Sequence, residues 1–505
     1  MKVNQENIKD NEVIFSVPGT NLRFKLINTP KFLSVKPKKK IRLNIAEKLP
    51  KDYLAFHAAL LKKNNKGILI TGKSGSGKTT LAFELQKQGY QILANDFVVL
   101  WLEGEIIYAG DLNLYKNNIG KKKMKVDKVI CLEPQDKRDI FSFDWQEWCK
   151  FYYKTLQPIN KKGLKTNNSM VFKKAYEIHV VLGNRQNILR WLTAYSRLCS
   201  TNNISSLGIL GFGTIGSSLV ASVLEKTWLK GLSIYSTKLK ELKGVKMDIE
   251  SARPNISIKI ANTSKDLFSY SDIVVISFNV NNPQNIITKY GERMRKLYSH
   301  LEVIWNLSRD LRLINFKGII FIVTNPVDIL STAIYYFTNL DEEGKYDWRG
   351  LLSNQVFGVG LGLDYKRLKT LTQKNYEVVG EHGENLILAV VKGNKLHELK
   401  NDKLLKKVVN FSPSIRKYTK RTIYGPVKEI SDLLDAFINN NRCVRLSSLQ
   451  KEGYFLGNIY NLSNGVLNQK YFFNKKLRFK YKKILKSYST TWNNLIKKHS
   501  NITSS

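Results

Sequence analysis

The residues Ile68-Leu69-Ile70-Thr71-Gly72-Lys73-Ser74-Gly75-Ser76-Gly77-Lys78-Thr79-Thr80 restrict this chain more than any other stretch. An apolar run with strand character enters a glycine-rich turn, and Thr80-Leu81-Ala82-Phe83-Glu84-Leu85 opens a helical pattern. From Gly72 to Thr79 the residues match G-x-x-x-x-G-K-[ST]. The glycines allow successive backbone N–H groups to turn inward as an anion cradle, and the following helix adds its positive end. Lys78 would reach the terminal phosphates of a nucleotide, and the Thr79 hydroxyl would ligate Mg²⁺. Gly72, Ser74, Gly75, Ser76, Gly77, Lys78, Thr79 and Thr80 are therefore the candidate ATP-binding residues.

A chain of 505 residues has room for about three domains. At 43% hydrophobic residues it can fill real cores, and its formal net charge is +41. The basic residues are spread over the whole length rather than gathered in one arm or stripe. That argues against nucleic acid as the main partner and for a general attraction of phosphorylated or carboxylated ligands. Cys131, Cys149, Cys199 and Cys443 form no C-x-x-C pair, which fits a reduced, cytoplasmic setting better than a disulfide framework. The polar start Met1-Lys2-Val3-Asn4-Gln5-Glu6 lacks the apolar core of a signal peptide. No apolar run reaches the eighteen or so residues of a membrane span, so no membrane partner is expected.

Residues 12–45 alternate apolar and polar, as short strands do. Tyr53 to Leu61 form an apolar element ahead of the glycine turn. The helix is expected over about Thr79–Gln88, closed by Gly89. Within Tyr90 to Leu100 lies a buried strand ending in Asn95-Asp96, and Asp96, at that strand end, is the candidate second anchor for Mg²⁺, with an ordinary turn aspartate as the alternative. His57 stands fifteen residues before Gly72. Together with Gly89-Tyr90 and Asn95-Asp96, this arrangement resembles the compact relatives of the HPr kinase family over roughly residues 50–195. The resemblance implies ATP-dependent phosphorylation of a serine hydroxyl on a protein or peptide, with His57 beside the transferring phosphate. It also implies an aspartate pair whose first member, associated with the catalytic base, is Asn95 here. An amide accepts no proton at neutral pH, so nucleotide binding survives this change better than turnover does.

A second βαβ unit starts after the polar boundary Cys199 to Ser206. Leu207-Gly208-Ile209-Leu210 leads into Gly211-Phe212-Gly213-Thr214-Ile215-Gly216, a G-x-G-x-x-G turn, and Ser217 to Glu225 read as a helix. Gly211, Gly213 and Gly216 are the candidate dinucleotide-binding glycines. The next strand ends at Ser236, twenty residues past Gly216, where a carboxylate usually takes the ribose hydroxyls of NAD. Ser236-Thr237-Lys238 carries none, which leans towards NADP over NAD or marks a degraded site.

Thr324-Asn325-Pro326-Val327-Asp328-Ile329-Leu330, at the end of another apolar strand, resembles the lactate/malate dehydrogenase family. The likeness continues through Leu363-Asp364-Tyr365-Lys366-Arg367, Gly380-Glu381-His382-Gly383-Glu384 and Thr422, and covers about residues 205–490. It implies a 2-oxo or 2-hydroxy acid as substrate and hydride exchange with NAD or NADP. His382 is then the proton donor and acceptor, Asp364 holds its imidazole in the charged form, and Arg367 grips the substrate carboxylate. Asn325 contacts substrate and cofactor, and Thr422 lines the pocket. The family forms dimers and tetramers, and these residues choose no oligomeric state. The mobile-loop arginine of the family falls at Ile287 or Thr288, with Lys289 and Arg293 as the nearby cations. Asp364 and His382 are eighteen residues apart, a short interval for the helix, loop and strand between them.

The tail from Lys470 to Lys498 alternates aromatic and basic residues and reads as an amphipathic helix packed on its own domain. The whole chain reads as α/β: an HPr kinase-like P-loop domain over 1–200, a Rossmann domain over 205–345, and an α+β dehydrogenase-like substrate domain over 346–505. The function expected is a 2-hydroxy acid dehydrogenase joined to an ATP-binding kinase-like domain. The alternatives are a nucleotide-binding scaffold with impaired catalysis and a basic nucleic-acid-binding ATPase.

Overall fold

The structure is a computed structural model. It describes residues 12–16, 23–27, 54–72, 75–95, 98–103, 106–111, 124–132, 141–144, 179–183, 188–189, 192, 204–280, 296–347, 349–383, 385–439, 441–450, 452–463 and 466–503. The chain divides into two compact units, Met1–Leu192 and Thr193–Ser505.

In the first unit, Glu12–Ser16 and Arg23–Ile27 pair as an antiparallel hairpin. The remaining described strands form one sheet. Its strands include β1 (Leu54–Phe56), β2 (Ala59–Lys63), β3 (Lys66–Gly72), β4 (Gln91–Asn95), β5 (Val98–Glu103), β6 (Met124–Leu132) and β7 (His179–Gly183), with β1 and β4 at the two ends and Ile106–Asp111 joining β5 to β6. β3 lies between antiparallel β2 and parallel β6, and six of its seven residues are buried. It delivers the glycine turn to α1 (Lys78–Gln86), whose Leu81, Ala82 and Leu85 face the core. The helix ends at Gln86, two residues before the expected stop; Lys87 to Gly89 form a turn with Gly89 at φ +83°. β4 ends at Asn95, where the strand carrying Asn95-Asp96 was expected to end; it pairs with β2, while β5 joins β1 further along the sheet.

The second unit opens as a parallel sheet. In chain order come β8 (Ser206–Leu210), α2 (Thr214–Val223), β9 (Gly231–Tyr235), α3 (Leu239–Ala252), β10 (Ser257–Ile260), β11 (Ile273–Ile276), α4 (Leu297–Leu313), β12 (Ile319–Ile322) and α5 (Val327–Thr338). The spatial order is β10-β9-β8-β11-β12. β11 and β12 are buried at every position, the pattern of strands covered on both faces.

The rest of the unit adds β13 (Val356–Gly358), α6 (Leu361–Thr372), β14 (Tyr376–Gly380), β15 (Leu386–Lys392), α7 (Phe411–Thr419), α8 (Tyr424–Asn439), β16 (Asn441–Leu449), β17 (Phe455–Ser463) and α9 (Lys475–Thr503). β13 continues the parallel sheet beside β12, and β16, β17, β14 and β15 extend it with antiparallel pairs. Residues 205–345 and 346–505 therefore share one continuous sheet within one compact unit.

Two apolar clusters cover the two faces. Helices α2 and α8 pack on one side, where Phe321, Phe357 and Phe437 meet with centroids 4.9–6.3 Å apart. Helices α4, α5 and α9 pack on the other. In α9 the residues Leu477, Tyr481, Ile484, Leu485, Tyr488, Trp492 and Leu495 are buried, a 3.6-residue stripe, so the basic tail lays its apolar face on its own unit. Among the described residues no helix is long and apolar enough to cross a membrane.

Candidate functional site

Three short elements bring the chemistry of the second unit together. Helix α6 starts directly after β13, and its first two turns carry Asp364 and Arg367, three residues apart and both buried. His382 sits in the tight turn between β14 and β15, which is closed by the pairing of Gly380 with Leu386. Gly380 and Gly383 adopt φ of +101° and +108°, conformations that suit glycine. A Cβ on Gly360 would lie 2.6 Å from the imidazole of His382, so the bare backbone there makes room for the ring.

Asp364 joins the other two. Its Oδ2 lies 2.6 Å from Nδ1 of His382, and its Oδ1 accepts from Nη1 of Arg367 at 3.0 Å. A carboxylate facing Nδ1 fixes that nitrogen as the donor, which assigns proton exchange to Nε2. The short interval from Asp364 to His382 suffices because β13, α6 and β14 follow one another with almost no connecting chain.

Below this pair lies Asp328, in the first turn of α5. Its Oδ2 accepts from the backbone N–H of His382 at 3.1 Å. Burial, reinforced by the charge on Glu381, pushes its carboxyl up to about 7. Asn325 ends the loop after β12, and its carbonyl is 2.8 Å from Nδ1 of His300 on α4. Burial lowers the basicity of His300 and keeps it a neutral donor to that carbonyl.

Asn325, Arg367, His382, Ser412, Thr422 and Glu429 line one cavity of about 170 Å³. Ser412 and Glu429 were not singled out from the sequence. Glu429 is buried on the apolar face of α8, paired with Lys366 at 2.7 Å, and burial raises its carboxyl. An acid on an otherwise apolar helical stripe was the available signal. A larger hollow of about 640 Å³ beside Leu371, Phe411 and Tyr418 holds none of these site residues.

The turn between β8 and α2 has the form a dinucleotide needs. Gly211 adopts φ +97°, and a Cβ there would lie 2.7 Å from the backbone nitrogen of Phe278. A Cβ on Gly216 would stand 2.4 Å from the carbonyl oxygen of Gly211, whereas one on Gly213 would meet nothing within 4 Å. Close packing at two glycines and open space at the third leave the first N–H groups of α2 approachable. No side chain caps them, and the first turn holds no acid. These features fit a dinucleotide pyrophosphate. At the tip of β9 the Ser236 hydroxyl accepts from the Lys238 N–H at 3.4 Å, and Lys238 pairs with Glu241. Lys289 and Arg293 lie outside the described residues, as do Ile287, Thr288 and Glu384.

In the first unit the Lys78 ammonium, buried, donates to the Gly72 carbonyl at 2.9 Å and so folds back across its own turn. Gly72, Gly75 and Gly77 have φ of +148°, +82° and +87°. Ser76 Oγ is buried with no hydrogen-bond partner among the described residues, and Thr79 and Thr80 are exposed in the first turn of α1. Ala59 pairs with both Ile70 and Asn95. That register brings exposed His57, the end of β3 at Gly72 and the end of β4 at Asn95 to one edge of the sheet. Ser74 and Asp96 lie outside the described residues, and no group of three or more metal-ligating side chains occurs among the described ones.

The second unit thus combines a Rossmann-like α/β fold, a glycine turn at Gly211 and a buried Asp364–His382 pair. Residues 205–345 match the family described as "lactate/malate dehydrogenase, NAD binding domain". The L-lactate dehydrogenase 1 of Peribacillus psychrosaccharolyticus is 24% identical over 280 residues, 50% of this chain and 82% of that protein. The malate dehydrogenase of Methanosphaera stadtmanae is 25% identical over 279 residues, again 50% of this chain and 82% of the relative. Among solved structures, malate dehydrogenase from Archaeoglobus fulgidus in complex with NADH superposes with a TM-score of 0.48 at 17% identity, covering 57% of this chain and 99% of that one. The C-terminal part of the chain carries a lactate/malate dehydrogenase family unit, with that family's Rossmann-like α/β fold.

Proposed function

We propose that the second unit interconverts a 2-oxo acid and its 2-hydroxy acid with NAD or NADP. The observation that carries this reading is the buried junction of Asp364 with His382 and Arg367 on the wall of one cavity. When bound, the nicotinamide supplies the hydride in one direction and accepts it in the other. In reduction, His382 gives its Nε2 proton to the carbonyl oxygen as that oxygen becomes a hydroxyl, and Asp364 holds the ring in place through Nδ1. Arg367 orients the acid by hydrogen bonds to its carboxylate. Asn325 and Thr422 hold the substrate's other side.

Ser236, in place of a carboxylate, leaves room for a 2′-phosphate, so both cofactors belong in the test. The first unit, on this proposal, binds MgATP through Lys78 and Thr79 in the manner of the HPr kinase-like proteins that its motifs resemble. Its acceptor would be a protein or peptide serine. Asn95 in place of the family's first aspartate favours nucleotide binding over rapid transfer.

The test of the second unit is oxidation of NADH and NADPH with pyruvate, oxaloacetate and longer 2-oxo acids, repeated with His382→Asn. Turnover should fall about 10²–10⁴-fold in the variant, the range that a general acid contributes. Turnover unaffected by the substitution would remove His382 from the reaction. For the first unit, ATP binding and peptide phosphorylation are compared with Lys78→Ala. The second reading, a binding module, rests on Ile287 or Thr288 at the position where the family carries its loop arginine. Cofactor binding with no oxidation of either cofactor by any 2-oxo acid would favour it.

A further inference from the structure

We propose that Arg421 is a phosphate clamp for the dinucleotide, reaching from the link between α7 and α8 to the glycine turn between β8 and α2. The proposal rests on the dinucleotide reading above and adds a residue to it.

Arg421 lies in the short link between α7 and α8. The link is held in shape at two points: Lys420 closes α7 in a left-handed conformation with its N–H on the Arg416 carbonyl at 3.0 Å, and the Thr419 hydroxyl donates to the Arg421 carbonyl at 2.6 Å. From this fixed backbone the Arg421 guanidinium crosses to the other half of the unit. Its Nη1 donates to Oγ1 of Thr214, a residue 207 positions away. Thr214 is the first residue of α2, directly after the uncapped Gly213. A cation thus stands at a helix N-terminus, where it gains nothing from the helix dipole, and no acid occupies that first turn. No carboxylate pairs with Arg421 among the described residues. The arrangement makes sense once an anion lies between the N–H groups and the guanidinium, because both then donate to it. A pyrophosphate at Gly211 and Gly213 is such an anion.

The neighbour of Arg421 in sequence is Thr422, which lines the cavity together with His382 and Arg367. One dipeptide therefore touches both ligands. Binding of the cofactor phosphates would set the backbone that presents Thr422 to the acid.

The experiment is a fluorescence titration of the full chain with NADH, with ADP and adenosine as competitors, for wild type, Arg421→Ala and Arg421→Lys. Melting curves confirm that the variants fold; the side chain is exposed and makes one hydrogen bond. NADH and ADP should each bind about 10-fold or more weakly to Arg421→Ala, as expected for a lost charge-assisted hydrogen bond. Adenosine should compete equally in all three, and Arg421→Lys should recover part of the loss. The affinity of Arg421→Ala should also vary less steeply with salt. Equal NADH affinity in wild type and Arg421→Ala overturns the clamp alone. Failure of the wild type to bind either NADH or NADPH, titrated in the same way, overturns the dinucleotide reading and the clamp with it.

Discussion

Asp328 shows how a single residue ties the site to the stability of the unit. It is buried, it accepts the backbone N–H of His382, and its carboxyl is raised from its usual 3.8 to about 7. In the unfolded chain it ionises near its ordinary value, so between pH 4 and 7 the folded form holds a proton that the unfolded form has lost. Its contribution to stability is full below pH 4 and is lost as pH rises through about 7. Across pH 5 to 7, two units at about 1.4 kcal/mol each make the loss roughly 3 kcal/mol. Asp328→Asn should remove this slope. Urea unfolding at pH 5 and pH 8 would show the wild type losing more stability than the variant; equal losses would mean that another group carries the dependence. Asn325, Asp364, Arg367 and His382 were legible because each lies in a local motif at the end of a strand or the start of a helix. Arg421 was not, since its partner Thr214 is 207 residues away and only the fold brings them together.

At the level of elements, the strand–turn–helix units were legible wherever apolar runs were bounded by glycine. The strand end at Asn95 was legible, but the partners of β4 and β5 were not, because strand partners come from elsewhere in the chain and periodicity does not reveal them. Helix α9 is the clearest case of pattern deciding placement. Its aromatic and basic residues alternate, and the structure buries Tyr481, Tyr488 and Trp492 while Lys475, Lys476, Lys482, Lys483 and Lys486 stay exposed, together with Phe479. Trp492 stacks near Tyr336 and Phe337, with centroids at 5.5 and 5.9 Å. Trp492→Ala should cost about 3–5 kcal/mol in the second unit, because the cavity would open between α5 and α9. Lys482→Ala, on the exposed face of the same helix, should change stability by less than about 0.5 kcal/mol. Urea denaturation separates the two. A similar cost for both would mean that the charge of α9, and not its apolar face, holds it down.

Over the whole molecule the dominant quantity is the net charge of +41. Charge of one sign spread over a folded chain repels itself and favours expansion, while it raises the local concentration of anions. Salt acts on both effects and moves them in opposite directions. Raising ionic strength from about 0.01 M to about 0.15 M shortens the screening length from about 30 Å to about 8 Å, which removes most repulsion between distant lysines. The melting temperature should therefore rise with sodium chloride. The same screening weakens the pull on an anionic dinucleotide or 2-oxo acid, so the dissociation constant for NADH should rise over the same range. A protein held together by surface ion pairs would show the reverse in the melt. Among the described residues the exposed pairs, such as Lys345–Glu343 and Lys238–Glu241, contribute little each. Melting curves and NADH titrations on one salt series decide the matter: a melting temperature that falls as affinity falls would place the stability in ion pairs rather than in the two apolar layers around the sheet.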